Sequence, residues 1–414
     1  MSKWQQVKLG DVSESCLGKM LDQHKNKGEL QPYLANIDVR WGEFDLEQLG
    51  EMKFELHEQE RYGLRYGDLV ICEGGEPGRC AIWKDQIPNM KIQKALHRVR
   101  ADLNVLDNRF LFYWFLLAGK TGELEQYFTG ATIKHMPGQK LKEVKIPLPP
   151  LEIQRKIADV LSAYDDLIEN NRKQIKLLEE AAQRLYKEWF IDLRFPDHES
   201  TPIIDGIPEG WELKKLGSII KLRSGFAFKS KDFCSKGNFK IVTIKNVQDG
   251  VFDYENTDTI TEIPHNMPKY CILSDGDILL SLTGNIGRVC MVTEKNCLLN
   301  QRVAKLETQY PGFAYCLFRN KDFCYSINNL ANGAAQQNLS PLKTEEMKVL
   351  IPSIQHLSLF EKQIHTITDK ILMLYKNIIV TKLARNYLLP KLMTGELIET
   401  RNSLLTKLTN ITFK

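Results

Sequence analysis

The 414-residue chain has no apolar stretch that could cross a bilayer: its longest near-continuous run, Phe110 to Ala118, is nine residues, about half of the roughly 20 a spanning helix needs. The opening Met1-Ser2-Lys3-Trp4-Gln5-Gln6 lacks the apolar core of a secretory signal, so a cytoplasmic location without membrane attachment is expected. The nine cysteines are an odd number with no Cys-x-x-Cys pair and no Cys/His cluster at zinc spacing, which points to reduced, structural thiols and no metal site. Catalytic signatures are missing as well. There is no Gly-x-Gly-x-x-Gly, no Gly-x-x-x-x-Gly-Lys-Ser/Thr, no His-Glu-x-x-His and no Gly-x-Ser-x-Gly. Pro196-Asp197 has no Glu-x-Lys close behind it, as a metal-dependent nuclease would require, and no Asn-Pro-Pro-Tyr or Asp-Pro-Pro-Tyr motif marks a base methyltransferase. The eight histidines are scattered and read as structural or solvated.

Charge excess is also modest, a net +4 that is unevenly placed. Residues 1–150 carry 21 basic and 21 acidic side chains, residues 151–194 carry 8 and 9, and residues 195–210 carry 4 acidic and no basic ones. Residues 211–352 carry 18 basic and 14 acidic, and residues 353–414 carry 9 and 4, so only the second half is basic. If the first half binds nucleic acid, it relies on where its charges sit. Composition is that of a folded protein, 43% hydrophobic and 26% charged, and the length suggests two globular units.

What the sequence has is a repeat. Trp4-x-x-x-Lys8-Leu9-Gly10 recurs as Trp211-x-x-x-Lys215-Leu216-Gly217, and Gly67-Asp68, Gly75, Gly78 and Arg79 recur as Gly276-Asp277, Gly284, Gly287 and Arg288 at a common offset of 209. Each block reads as an apolar strand, a glycine-rich hairpin and a second strand. Glu73-Gly74-Gly75-Glu76-Pro77-Gly78 has the glycines of a phosphate loop but no lysine and no following helix, so a hairpin is expected. Gly130-Ala131 with Pro137, and Gly333-Ala334 with Pro341, precede short apolar strands that end in Ile146-Pro147 and Ile351-Pro352. Dense aromatic and aliphatic residues predict a buried helix over 108–118.

After each proline stop, apolar residues alternate at three and four. The first seam takes in Ile157, Val160, Tyr164, Leu167, Asn171, Leu178 and Leu185; the second takes in Leu357, Phe360, Ile364, Ile367, Ile371, Leu374 and Ile378. Each helix runs about 38 residues, roughly 57 Å at 1.5 Å per residue. One narrow apolar stripe on so long a helix requires a partner, and the two helices are each other's obvious partner. Asn171 either fixes the register of that pair from within the seam or sits at an exposed turn. The expected organisation is an α+β chain. A first globular domain (1–150) leads into a first spacer helix (151–194) and a linker (195–210). A second domain (211–352), a second spacer helix (353–393) and a tail (394–414) follow. Two similar domains, paired helices and no active site suit a bipartite ligand such as DNA.

The duplicated Trp-x-x-x-Lys-Leu-Gly opening, Ile146-Pro147-Leu148-Pro149-Pro150-Leu151-x-x-Gln154, Leu185-Tyr186-Lys187-Glu188-Trp189-Phe190 and Leu389-Pro390-Lys391-Leu392-Met393-Thr394-Gly395-Glu396 together resemble the DNA specificity subunit of type I restriction-modification systems. The resemblance covers about residues 1–400, and departs at Ile351-Pro352-Ser353-Ile354-Gln355, which lacks the double proline. It implies two target recognition domains that read the halves of a split, asymmetric site in double-stranded DNA, with an antiparallel coiled coil as ruler and docking surface. It also implies a noncatalytic subunit with no cofactor of its own. Two methyltransferase subunits would bring S-adenosylmethionine and modify adenine, and restriction subunits would bring ATP- and magnesium-dependent cleavage. A related system with a fused methyltransferase-nuclease partner is the alternative, and a coiled-coil scaffold without DNA binding a third possibility.

DNA-binding candidates, on predicted loops, are Arg79, Lys84, Lys134 and Lys140 in the first domain and Lys229, Lys231, Lys245 and Arg288 in the second. Arg79 and Arg288 occupy equivalent places in domains expected to read different sequences, which suits a structural or phosphate-binding role better than base reading. Phe226 and Phe228 fit either a DNA-facing loop or the core.

Overall fold

The computed structural model describes residues 4–22, 26–255, 257–331 and 338–397. Gly333-Ala334 and residues 398–414 of the expected tail lie outside them. The chain divides into two compact units, Met1–Leu167 with Thr381–Lys414, and Ile168–Val380, so each unit takes in part of both long helices.

Unit 1 contains, in order, β1 (Gln6–Lys8), β2 (Ser13–Leu17), β3 (Glu29–Leu34), β4 (Gly50–Phe54), α1 (Gln59–Tyr62), β5 (Leu69–Cys72), β6 (Cys80–Ile82), β7 (Lys91–Ile92), β8 (Leu96–Ala101), α2 (Asn108–Thr121), α3 (Gly138–Glu143), β9 (Lys145–Pro147) and the start of α4 (Leu151–Phe190). An antiparallel sheet runs β2-β8-β5-β6, a second sheet runs β4-β3-β7 with β3 and β7 parallel, and β1 pairs with β9. Strand β5 is buried on both faces. Leu69 and Ile71 enter the core shared with α2 and α4, while Val70 and Cys72 enter a second core with Leu34, Trp83 and Ile92. That two-sided burial is why the strand reads as a continuous apolar run.

Helix α2 is apolar almost all round and correspondingly buried. Asp107 caps its start by accepting from the Arg109 and Phe110 amides at 2.9 and 3.1 Å, and Gly122, at φ +77°, ends it. It docks on α4 through Tyr113, whose hydroxyl donates to Asp165 at 2.6 Å, and through Arg109, which donates to Asp159 at 2.8 Å. Gln154 is fully buried; it accepts from the Asp107 amide and donates to the carbonyls of Val105 and Pro149, which locks the first turn of α4 to the unit.

Unit 2 repeats the plan. Its elements are β10 (Ile203–Ile204), β11 (Ile207–Pro208), β12 (Glu212–Lys215), β13 (Ile220–Ser224), β14 (Phe239–Val242), β15 (Asp258–Ile260), β16 (Ile272–Leu273), β17 (Ile278–Ser281), β18 (Val289–Met291), β19 (Cys297–Leu299), β20 (Val303–Thr308), α5 (Pro311–Arg319), α6 (Lys321–Ala331), α7 (Pro341–Glu345), β21 (Lys348–Ile351) and the start of α8 (Ile354–Met393). The sheets run β13-β20-β17-β18 and β15-β14-β19-β16, and β12 pairs with β21, which reproduces the unit 1 order strand for strand apart from the added β16 and the separate β10–β11 pair. Helix α5 docks on α4 through Tyr315 and Arg319, both donating to Glu179, the latter at 3.0 Å. Glu361 of α8 accepts from the first amides of α5, Gly312 and Phe313, at 2.8 and 3.2 Å. A side chain at Gly312 would meet Ile364 at 2.2 Å, so this contact needs glycine.

Both long helices are 40 residues. In unit 1 the start of α4 (Ile157, Leu161) shares a core with the end of α8 (Leu388, Leu392); in unit 2 the end of α4 (Tyr186, Trp189) shares one with the start of α8 (Leu357, Phe360). The pairing is therefore antiparallel. On α8 the expected seam residues Leu357, Phe360, Ile364, Ile371, Leu374 and Ile378 are buried and Ile367 is half-buried. Where the second double proline is missing, Ser353 takes the capping role by accepting from the His356 amide at 3.2 Å.

The seam of α4 needs correction. Leu167 is 47% exposed, and Ile168, at 5%, is the buried residue. The buried positions run Ile157, Leu161, Ile168, Asn171, Ile175 and Ala182, with Tyr164 and Leu178 half-buried between them. Val160 and Leu185 are half-buried flanks to Leu161 and Tyr186. Apolar residues at both 160/161 and 167/168 fit an alternation of three and four equally well, and packing selects the second of each pair. Asn171 is buried on the seam, and its amide nitrogen has no hydrogen-bond partner among the described residues.

Candidate nucleic-acid interface

In each unit the glycine-rich hairpin is joined by turns from other strands. In unit 1, Glu73 donates its amide to Ala95 O at 2.8 Å, the Met136 amide donates to Glu73 O at 2.7 Å, and Gly74 bridges His135. In unit 2, Leu282 donates to Arg302 O at 3.0 Å, Leu339 donates to Leu282 O at 2.8 Å, and Thr283 bridges Asn338. The loop after β2 is held in the same place. A side chain at Gly18 would lie 2.3 Å from the Gln93 carbonyl, and one at Gly225 would lie 2.2 Å from the Leu299 carbonyl, so the backbones approach only because both residues are glycine.

Arg79 and Arg288 act inside this cluster. Arg79 Nη2 donates to the backbone and side-chain oxygens of Asn36 at 2.9 and 2.8 Å, and Nη1 donates to Glu76 at 3.2 Å. Asn36 in turn donates to Gly74 O at 2.9 Å, so guanidinium and amide clamp the hairpin to the turn after β3. Arg288 receives its hold from Ser281, which accepts the Arg288 amide at 3.0 Å, and its guanidinium donates to Gln248. Both guanidinium groups thus bond to half-buried carbonyl and amide oxygens within the chain, in keeping with the structural role their equivalent places suggest.

Lys84 lies at the far end of the β5–β6 ladder from the hairpin, 3.5 Å from Asp166 of α4. Lys140 is paired with Glu143 at 2.7 Å on α3 and holds that carboxyl below its usual range. Both lysines stay partly exposed while making these contacts. Lys134 is exposed on the loop that bridges the hairpin, 3.9 Å from Glu125, and lines a cleft of about 600 Å³ with Trp41, Pro77, Phe128 and Ile133. Lys229 and Lys231 are exposed in the turn following β13, and Lys245 is exposed in the turn following β14. The structure thus brings Lys134 to the hairpin end of unit 1, while Lys229 and Lys231 follow β13 and Lys245 follows β14 in unit 2. Phe226 and Phe228, ring centroids 5.2 Å apart, pack against the unit 2 core.

A further repeated block escaped the motif search. Val39-x-x-Gly42-x-Phe44-Asp45 matches Val247-x-x-Gly250-x-Phe252-Asp253 at an offset of 208. Val39 bridges Phe44 and Val247 bridges Phe252, both glycines have positive φ, and each donates its amide to β6 or β18, Gly42 to Cys80 at 2.9 Å and Gly250 to Val289 at 2.8 Å. The identities at this spacing were visible in the sequence. Their meaning required the β6 and β18 partners.

The titratable groups here are structural. His97 is buried under the hairpin with Nε2 3.1 Å from Met136 O, and burial pushes it below the usual histidine range. Burial likewise pushes the Cys72 thiol up, and all nine cysteines are free. Glu55, His57 and Glu58 approach one another as metal ligands would, but Lys19 already pairs with Glu58 at 2.5 Å.

Comparison with known proteins places this architecture. The family model described as the type I restriction modification DNA specificity domain matches residues 1–180 and 208–381, one copy per half. The MjaIX type I restriction enzyme specificity subunit of Methanocaldococcus jannaschii is 33% identical over 303 residues, covering 70% of this chain and 69% of that protein. The MjaVIII specificity subunit of the same organism is 27% identical over 413 residues, covering 95% and 93%. The crystal structure of a type I restriction-modification S subunit from M. genitalium superposes with a TM-score of 0.58 at 18% identity over 94% of this chain and 96% of that one, which establishes a common fold. With two matched copies, duplicated sheets and paired helices, the chain belongs to the family of type I restriction-modification specificity subunits.

Proposed function

We propose that the chain is the DNA-binding specificity subunit of a type I restriction-modification complex and recognises a bipartite, asymmetric site in double-stranded DNA. The observation that carries this reading is the duplication. Two units with matching sheet order each build a hairpin-centred cluster from equivalent turns, while the exposed side chains on those turns differ between units. A common scaffold with different tips suits two different half-sites. The paired helices serve as the ruler between half-sites and as the docking surface for two methyltransferase subunits and for restriction subunits. The subunit itself is noncatalytic; S-adenosylmethionine, ATP and magnesium act in the partners, which methylate adenine and cut DNA. The setting is the cytoplasm, and among the described residues no helix is long and apolar enough to cross a membrane.

Cations on the turns, Lys134 in unit 1 and Lys229, Lys231 and Lys245 in unit 2, meet phosphates and position each unit. The test is a genome-wide map of methylated adenine in the host with and without the gene. A split motif that disappears on deletion supports the proposal. An unchanged motif set, with the partner subunits present, refutes it.

A further inference from the structure

The turn that follows the parallel strand of each unit sits at the centre of the hairpin cluster. In unit 1 this is Gln93-Lys94-Ala95 after β7, and in unit 2 Asn300-Gln301-Arg302 after β19. The two are held by the same bonds. The Gln93 amide donates to Leu34 O at 3.0 Å and the Asn300 amide to Val242 O at 3.1 Å; Lys94 donates to Lys19 O at 2.7 Å and Gln301 to Phe226 O at 3.0 Å. Each turn closes on itself, Leu96 donating to Gln93 O at 3.2 Å and Val303 to Asn300 O at 3.0 Å. The backbone is thus fixed from both sides, as a recognition element must be if its side chains are to discriminate.

The side chains do the opposite of the backbone. Among the described residues, those of Gln93, Lys94 and Gln301 have no hydrogen bond or ion pair within the chain. Among the described residues, Asn300 Oδ1 accepts only the Arg302 amide, at 3.3 Å, and its amide donors have no partner. Gln93 and Asn300 are half-exposed, and Lys94, Gln301 and Arg302 are exposed. Gln93 and Lys94 line a cleft of about 520 Å³ with Met20, Leu21 and His135. Ala95 adopts φ +80°, a conformation costing a non-glycine residue roughly 1–2 kcal/mol. The Glu73 amide holds it there by donating to its carbonyl. Backbone strain retained by surrounding bonds is a mark of sites under functional constraint.

Comparison of the two units separates scaffold from reader. Arg79 and Arg288, Gly18 and Gly225, and Gly42 and Gly250 are identical: the arginines bond within the chain, Gly18 and Gly225 permit close backbone approach, and Gly42 and Gly250 adopt positive φ. The tips of the central turn differ in both length and charge. We propose that this turn is the base-reading element of each unit, Gln93 and Lys94 for one half-site and Asn300 and Gln301 for the other. Carboxamides are the side chains that pair bidentately with adenine in the major groove, and a lysine donates to guanine O6 and N7. The inference rests on the DNA-specificity function proposed above.

The test uses the assembled complex with its methyltransferase subunits and duplexes carrying the motif mapped in the host, with each base pair of both half-sites substituted in turn. If the wild-type complex shows no base preference, the function itself fails. With preference established, the pair Gln93→Ala and Lys94→Ala is expected to lower discrimination roughly 10- to 100-fold at one or two positions of one half-site and leave the other half-site unchanged. Asn300→Ala with Gln301→Ala should do the same to the opposite half. Gln93→Glu, close in shape but without the amide donors, should change which base is preferred at the same position, and it serves where the double variant does not assemble. Unaltered base preference, or a uniform loss of affinity that leaves the relative preferences intact, overturns the proposal.

Discussion

Arg79 holds the unit 1 hairpin through the half-buried Asn36, so Arg79→Ala removes the donor to the Asn36 side-chain oxygen and leaves its carbonyl with long bonds such as that from the Val39 amide, at 3.4 Å. The expected loss is about 1–3 kcal/mol of stability in urea denaturation; unchanged stability would mean that the clamp is idle. Two buried histidines make stability depend on pH. Burial lowers His97 and His356 below 6.5, and His356 Nδ1 accepts from Trp211 Nε1 at 3.0 Å, which requires the neutral ring. Between the lowered folded value and 6.5 the unfolded chain binds more protons than the native one. The histidine contribution is therefore complete above 6.5 and is lost as pH falls below it. Thermal unfolding from about pH 7.5 to about 5.5 should show this fall, and His356→Gln should make it shallower. Residue identity alone exposed little of the site. Arg79 and Arg288 were conspicuous as repeated cations and turned out to face inward. Gln93 and Asn300, ordinary in sequence, are set apart by long-range strand pairing that brings their turns beside the hairpin.

At the scale of elements, α4 supplies a direct contrast between neighbours. Ile168→Ala should cost about 2–4 kcal/mol, whereas Leu167→Ala should stay within about 0.5 kcal/mol of wild type. Equal effects would contradict the packing seen here. Replacing the buried Asn171 with leucine removes an amide nitrogen that has no partner among the described residues, and should raise the melting temperature while loosening the control of register; a lower melting temperature would count against its placement on the seam. Helix existence and length were legible because a 3.5-residue alternation over 40 residues has no other structural meaning. Which face is buried was not legible at 160/161 and 167/168, where adjacent apolar residues satisfy the same spacing. The strand and hairpin blocks were legible through their glycines. The parallel strands β7 and β19 were not, being two and three residues long and set in place by partners far away in sequence.

At the scale of the whole molecule, each of two similar units takes in part of both long helices. The duplication was readable from repeated tryptophans, glycines and arginines, and the matching sheet order gives it a structural basis. The exposed tips of the turns differ between the units, and no internal repeat preserves them. The most direct test is to remove one heptad from α4 and one from α8 in register, and to map methylated adenine in cells carrying the shortened subunit with its partners. Seven residues at 1.5 Å are about 10 Å, or roughly three base pairs at 3.4 Å. If the paired helices set the distance, both half-sites persist and the gap between them shrinks by about that amount. A gap of unchanged length, or half-sites that themselves change, would contradict it.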